Sequence, residues 1–336
     1  MSTESRPGRA PSIRDVARAA GVSHQTVSRV LNDHPSIRDE TRSRVMAAMA
    51  DLHYRPNAAA RALSSSRSRT IGVLTSARGH YGPARSIEAI EAAARRRGLY
   101  VTTASTGAAD DRAVREALGT LLAQDIEGLV IVAQQQRVFE VIAEAGPAVP
   151  VVTLRPDVTD GTAPSADEIA GARAATRHLI ELGHTSIRHL AGPRDWLEAD
   201  ARMQGFLHEL SAHDLPVTVP VLGDWSADFG YRAGLQLLQW GDVTAYFCAN
   251  DHTALGLMHA ARDLGVDVPG DVSVVGYDDV PEAAHLWPPL TTVRQDFAGL
   301  GRRCVALLLG PEDGEPGTSA TGPELVVRAS TAPPRS

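Results

Sequence analysis

Residues 21–32 read GVSHQTVSRVLN, a run in which polar and apolar side chains alternate at a helical spacing. On a helix beginning at His24, the period of about 3.6 residues turns Val27, Val30 and Leu31 to one face and His24, Gln25, Ser28 and Arg29 to the other. The polar set has a specific chemistry. A glutamine amide can pair with the N6/N7 edge of adenine, an arginine with O6/N7 of guanine, and a histidine can contact a base or a phosphate. Ser23, Thr26, Ser28 and Asn32 are short donors suited to phosphate oxygens. Ser12, which can cap the preceding helix, joins them as a candidate contact. The same face on a small helical bundle would simply be solvated, so the pattern alone leaves both readings open. Other chemistries lack their residues. The chain has no GxSxG elbow, no GxxxxGK[ST] phosphate loop and no Cys/His spacing that resembles a metal site. His178, His184 and His189 fall in a helix–loop–strand segment and read as structural. Neither enzymatic activity nor a cofactor or metal is expected.

The elements that must position this face are short helices. Ile13, Val16, Ala17 and Ala20 share one side of a helix over 13–20. Gly21 can end that helix in the left-handed conformation, and Ser23 can cap the next, over about 24–31. A third helix is expected over about 39–52. Pro56 interrupts, and Asn57 can cap a last short helix over 58–63. SSSRSR, 64–69, has no core-forming residue and reads as a linker. Two helices joined by a glycine-containing turn match helix-turn-helix geometry.

From Ile71 the texture changes to short apolar runs separated by helical stretches. IGVLT, YVTTAS, GLVIVA and VPVVTL form one series; IRHLA, PVLG, AYFCAN and VSVVGY form a second. Such alternation implies parallel sheets with helices on both faces. The expected fold is thus an all-α helix-turn-helix head joined to an α/β body of two doubly wound subdomains, with ligand in the cleft between them.

Charge is divided in the same way. The 336 residues carry a net charge of −7, yet residues 1–70 hold twelve arginines against six acids. Such asymmetry suggests a basic module attached to an acidic body, which gives the first helices an electrostatic reason to meet DNA. No apolar run approaches the ~18 residues of a membrane helix. The first residues lack the apolar core of a signal peptide. Cys248 and Cys304 sit far apart in apolar runs, as buried residues of a reducing compartment would. A cytoplasmic location is expected.

DVARAAGVSHQTVSRVLN, followed by TRSRVMAAMADLHYRPNAAARAL, resembles the DNA-binding head of LacI/GalR transcription regulators. GDWSADFGYRAGLQLL, CANDHTALGLM, DVSVVGYDDV and PPLTTVRQDF continue the resemblance through the body, most closely to lactose-responsive members. The resemblance implies a homodimer on near-palindromic operator DNA, with His24 and Gln25 as the main sequence readers and Arg29 reading or anchoring. Lactose-responsive members carry tyrosine where this chain has His24. It also implies that the helix after Pro56 enters the minor groove beside its copy, with Ala60 packing and Leu63 wedging a base step, a device that unstacks DNA to gain contact. Asn57 belongs to that helix.

In the body the resemblance implies a periplasmic-binding-protein-like fold and a sugar inducer held by Arg202, Trp225, Asn250, Asp278 and Gln295. Ser76 and Tyr81 are further candidates in the altered loop TSARGHYGPARS. Planar polar groups can bind sugar hydroxyls in pairs, and an indole can cover a pyranose face. Arg155 stands where lactose-responsive members carry aspartate, and Trp196 and Glu198 could extend the site. A β-galactoside is the leading expectation and a β-glucoside the second. The expected division is a head over 1–56, a hinge helix and linker over 57–69, an N-terminal ligand-binding subdomain over 70–164 with 292–325, a C-terminal one over 165–291, and a tail over 326–336. The chain lacks a closing leucine-heptad helix, so a dimer rather than a tetramer is expected. A transport binding protein would have no use for the first 63 residues. A corepressor-dependent or activating regulator of the same family stays open.

Overall fold

The computed structural model describes residues 11–31, 34, 36–54, 68–107, 110–155, 167–311 and 322–335. Of the expected DNA contacts, Asn32, Asn57, Ala60 and Leu63 lie outside them. The chain divides into two units, residues 1–68 and 69–336.

The first unit contains α1 (Ile13–Ala20), α2 (His24–Leu31) and α3 (Asp39–Asp51). Val16, Val27 and Val45, one from each helix, are fully buried against one another, with Ala17, Ala20, Val30 and Ala48 around them. A fully buried valine contributes about 1.5–3 kcal/mol, so this small core depends on a few contacts. Gly21 ends α1 at φ +63°, its N–H directed to the carbonyls of Ala17 and Arg18. That backbone conformation is left-handed, which a residue with a Cβ adopts only at a cost.

The second unit is built on two parallel sheets. β1 (Thr70–Thr75), β2 (Tyr100–Ser105), β3 (Gly128–Val132) and β4 (Val151–Thr153) lie in the order β2-β1-β3-β4. Between them run α4 (Tyr81–Arg96), α5 (Asp111–Leu122) and α6 (Gln136–Ala145). The second sheet has β5 (Ile187–Ala191), β6 (Val221–Leu222), β7 (Ala245–Cys248) and β8 (Ser273–Val275), in the order β6-β5-β7-β8. Its helices are α7 (Glu168–Glu181), α8 (Leu197–Ala212), α9 (Ala227–Leu237) and α10 (Asp251–Leu264). β3, GLVIV, is buried throughout, as a central strand covered on both faces must be. A short 3-10 helix (Pro281–His285), β9 (Thr292–Arg294), α11 (Phe297–Leu309) and β10 (Glu324–Val326) complete the described elements. No helix among the described residues is long and apolar enough to cross a membrane.

α11, which the alternating pattern did not reveal, belongs to the first sheet. Cys304, Val305 and Leu308 share a core with Ile71, Val73, Ile87 and Ile90. Gly301 lets it approach α4 so closely that a Cβ there would lie 2.4 Å from the backbone of Ala89.

The subdomain boundaries differ from the expected ones. The expected N-terminal subdomain included 292–325; α11 within it does pack with the first sheet, whereas β9 and β10 at its ends pair antiparallel and pack with the core of the second. Val293 is buried with Ala172, Phe206, Phe247 and Tyr277, and Leu325 packs against the same core. Backbone bonds explain this: Gly276 N–H donates to the Thr291 carbonyl at 2.9 Å, and Asp278 N–H to that of Val293 at 2.8 Å. Nor is 326–336 a free tail over its described length. Val274 N–H donates to the Ser330 carbonyl at 2.8 Å, and a ring nitrogen of the buried His184 lies 2.9 Å from the Ala332 carbonyl.

Candidate functional site

In the first unit, α2 presents the polar face expected of it. His24, Gln25 and Arg29 are exposed, Ser28 and Thr26 are half-buried, and Val27 and Val30 face the core. Ser23 Oγ accepts the N–H of Thr26 at 3.1 Å, and its hydroxyl lies 2.9 Å from that of Thr26. The two hydroxyls therefore fix the start of the helix and stay at the surface. Ser12 is engaged differently. Its hydroxyl donates to Asp15 Oδ2 at 2.6 Å and its N–H to the same oxygen at 2.9 Å. This capping function accounts for Ser12 without DNA. The arrangement leaves His24, Gln25 and Arg29 on the first turns of a solvent-facing helix, the geometry in which a recognition helix presents its N-terminal residues to a major groove.

In the second unit both sheets reverse their winding beside the first strand of each, between β1 and β3 and between β5 and β7. The crevice at the carboxyl ends of such strands is where doubly wound folds bind ligands. A cavity of about 390 Å³ occupies it. Its walls come from the residues that follow successive strands: His80 and Tyr81 after β1, Gln134 after β3, Leu154 and Arg155 after β4, Trp196, Glu198 and Arg202 after β5, Asp224 and Trp225 after β6, Asn250 after β7, Asp278 after β8 and Gln295 after β9.

Arg202 is the centre of the floor. It is buried, and its Nε donates to Glu168 Oε2 at 2.8 Å, its Nη2 reaches Asp278 Oδ1 at 3.4 Å, and its Nη1 donates to the Ala249 carbonyl. The guanidinium carbon lies 3.9 Å from the Tyr277 ring centroid and 5.4 Å from that of Trp225. Burial alone would lower its pKa; the carboxylates of Glu168 and Asp278 reverse this and hold it above its ordinary value. Two carboxylates around one guanidinium leave the cluster one negative charge in excess. Burial accordingly pushes Asp278 up to about 6, with Glu168 adding to the rise and Arg202 opposing it. Gln295 Nε2 donates to the same Asp278 oxygen at 2.8 Å.

Trp225 and Asp278 both hold strained backbone, at φ +69° and +105°. For residues other than glycine this costs on the order of 1–3 kcal/mol and persists only where the surroundings enforce it. At Trp225 they do: Asn250 Nδ2 donates to its carbonyl at 3.0 Å while Asn250 Oδ1 caps α10 through Thr253 N–H at 2.8 Å. Gly192 makes room for the indole, since a Cβ there would lie 2.4 Å from it.

Six of the seven ligand residues expected from sequence thus line one cavity: Tyr81, Arg202, Trp225, Asn250, Asp278 and Gln295. Ser76 is not among the lining residues. Its hydroxyl is committed to Gln135 Oε1 at 2.7 Å and Gln134 Oε1 at 3.2 Å. Glu168, Gln134, His80 and Phe297 line the cavity without having been anticipated. Glu168 starts a helix 34 residues before the arginine it holds, and no local pattern marks it. Among the described residues no group of three or more His, Cys, Asp or Glu could hold a metal ion.

A family model of bacterial regulatory proteins of the lacI family matches residues 12–57, and one of a periplasmic binding protein-like domain matches residues 176–331. The lactose operon repressor of Escherichia coli (strain K12) is 38% identical over 327 residues, which span 95% of this chain and 90% of that one. The HTH-type transcriptional repressor PurR of Yersinia pestis (strain Pestoides F) is 36% identical over 334 residues, 95% of this chain and 96% of that one. Among solved structures, a lac repressor dimer bound to operator and the anti-inducer ONPF matches with a TM-score of 0.83 and 34% identity, covering 96% of this chain and 100% of that one. A complex of the transcriptional regulator CelR with cellobiose matches at 0.67 and 30%, covering 95% and 99%.

Proposed function

The chain belongs to the LacI family of DNA-binding transcriptional repressors, and from that premise we propose that it represses a sugar-utilisation operon and leaves its operator when a glycoside fills the cleft. The observation that carries the reading is the convergence of Arg202, Asp278, Asn250, Gln295 and Trp225 on one cavity. Those groups offer paired hydrogen bonds and an indole surface, the complement of a ring bearing adjacent hydroxyls. A β-galactoside is the leading inducer, supported by the identity with a lactose operon repressor. A β-glucoside is second, supported by the likeness to a regulator solved with cellobiose.

On the DNA side, two copies of the chain bind a near-palindromic site, one head per half-site. His24 and Gln25 read base edges, Arg29 reads or anchors, and Ser23, Thr26 and Ser28 position the helix on phosphates. Residues 57–63, which lie outside the described residues, are those the resemblance assigns to the minor groove, with Leu63 wedging a base step. Ligand in the cleft shifts the N-terminal subdomains of the dimer, and the heads lose their grip on DNA.

A thermal-shift screen of sugars against the wild type and Arg202→Ala tests the ligand side. A glycoside that raises the wild-type midpoint should leave that of the variant unmoved. Removal of Arg202 leaves Glu168 and Asp278 buried without their cation, so the variant should also lose on the order of 3–5 kcal/mol of stability. Normal sugar binding by a folded Arg202→Ala protein would remove the cleft from the account.

A further inference from the structure

One corner of the cleft has features that the Arg202 cluster does not use. Trp196 and Glu198 stand at the start of α8, and both line the cavity. The Trp196 ring meets that of Trp225 at a centroid distance of 5.4 Å and an interplanar angle of 62°. It also meets His80 of the first subdomain edge to face, at 4.8 Å and 79°. A single flat ring cannot stack on two indoles whose planes cross at 62°. Two linked rings, free to turn about a glycosidic bond, can.

The polar atoms point the same way. Trp225 Nε1 and Glu198 Oε2 are both buried and without a hydrogen-bond partner. An unmade buried hydrogen bond costs ~1–3 kcal/mol, and here a donor and an acceptor are both left over in side chains that line the cavity. A hydroxyl can donate or accept, so sugar hydroxyls can answer each of the two. The corner is anchored as well: Leu197 N–H donates to the Gln134 carbonyl at 2.9 Å, joining α8 to the loop after β3. Burial pushes Glu198 up to about 7, helped by Glu168, so near neutrality the carboxyl can either donate or accept.

We infer that Trp196 and Glu198 form a second sugar subsite, so that the cleft selects a two-ring glycoside over a single sugar. This rests on the glycoside reading above. Trp196 offers the second stacking surface and Glu198 holds a hydroxyl of the second ring, while the Arg202 cluster holds the first.

Isothermal titration of the full-length protein tests it with two matched pairs, methyl β-galactoside with lactose and methyl β-glucoside with cellobiose. In the wild type the disaccharide of the recognised pair should bind at least ~10-fold more tightly than its methyl glycoside, the equivalent of one good contact. Glu198→Ala and Trp196→Ala should each cost the disaccharide about 10-fold more than they cost the methyl glycoside. Glu198→Gln, which preserves shape, should cost less than Glu198→Ala and guards against a folding artefact. A recognised sugar with no preference for two rings would overturn the subsite while leaving the glycoside reading intact. So would a preference that survives both substitutions. No binding by any of the four probes, with none found in a wider sugar screen, would overturn both.

Discussion

At the residue scale, the acids of the cleft fold in an unusual state of charge, and Glu198 exposes the consequence. Its pKa is pushed up to about 7 by burial and by Glu168, against an unperturbed value of 4.5. Between those two values the folded chain holds the proton that the unfolded chain has released. Stability contributed by the neutral acid is therefore full below about pH 4.5 and is lost as pH rises through about 7. Asp278, pushed to about 6, and Asp251, pushed to about 8 by burial and by Asp278, act with the same sign. The wild type should thus melt at lower temperature at pH 8 than at pH 5. Glu198→Gln cannot ionise, so its midpoint should fall less over that interval, with its advantage over the wild type growing towards pH 8. Parallel melting curves for the two proteins would contradict the assignment of Glu198 as a buried acid. Arg202, Trp225, Asn250, Asp278 and Gln295 were legible through the resemblance to LacI/GalR bodies, and Trp225, Asn250 and Asp278 also because each follows a recognisable strand. Ser76 follows one too, yet its hydroxyl turns to Gln134 and Gln135. Proximity to a strand end selects candidates; only side-chain direction separates a cavity wall from a loop brace.

At the scale of elements, apolar periodicity served well wherever an element is covered on a consistent side. The helices at 13–20 and 24–31 and both strand series lie where the pattern put them. α11 escaped because its sequence, FAGLGRRCVALLL, carries two glycines that lower helix propensity. The packing explains one of them. At Gly301 a Cβ would lie 2.4 Å from the backbone of Ala89, so α11 and α4 meet backbone to backbone. Gly301→Val should force the helices apart and lower stability by about 1–3 kcal/mol, the usual cost of overfilling a close-packed contact. Urea unfolding measures it, and an unchanged midpoint would mean that α11 is not seated against α4 as described. The β9–β10 pair escaped for another reason. Its assignment to the second sheet is decided by backbone hydrogen bonds from Gly276 and Asp278, which leave no trace in side-chain patterning.

At the scale of the whole molecule, a basic head and an acidic body are linked by residues that lie outside the described ones. Charge asymmetry suggested a basic module and the lacI family match over residues 12–57 identifies it as the DNA-binding one, whose grip counterion release makes steeply dependent on salt. Coupling between the two units is a thermodynamic statement that no single conformation carries. Its central claim is that sugar and DNA oppose each other on one chain, and linkage makes that claim symmetrical: whatever factor the sugar removes from DNA affinity, DNA must remove from sugar affinity. The direct measurement is a fluorescence-anisotropy titration of the full-length protein against a duplex selected from random sequence by the protein itself, at fixed salt, with and without a saturating glycoside from the thermal screen. The expected result is a rise in Kd for the duplex of at least ~10-fold, within the usual range of coupling free energies, and an equal loss of glycoside affinity on the DNA-bound protein. A glycoside that occupies the cleft and leaves DNA affinity unchanged, or strengthens it, would contradict the account.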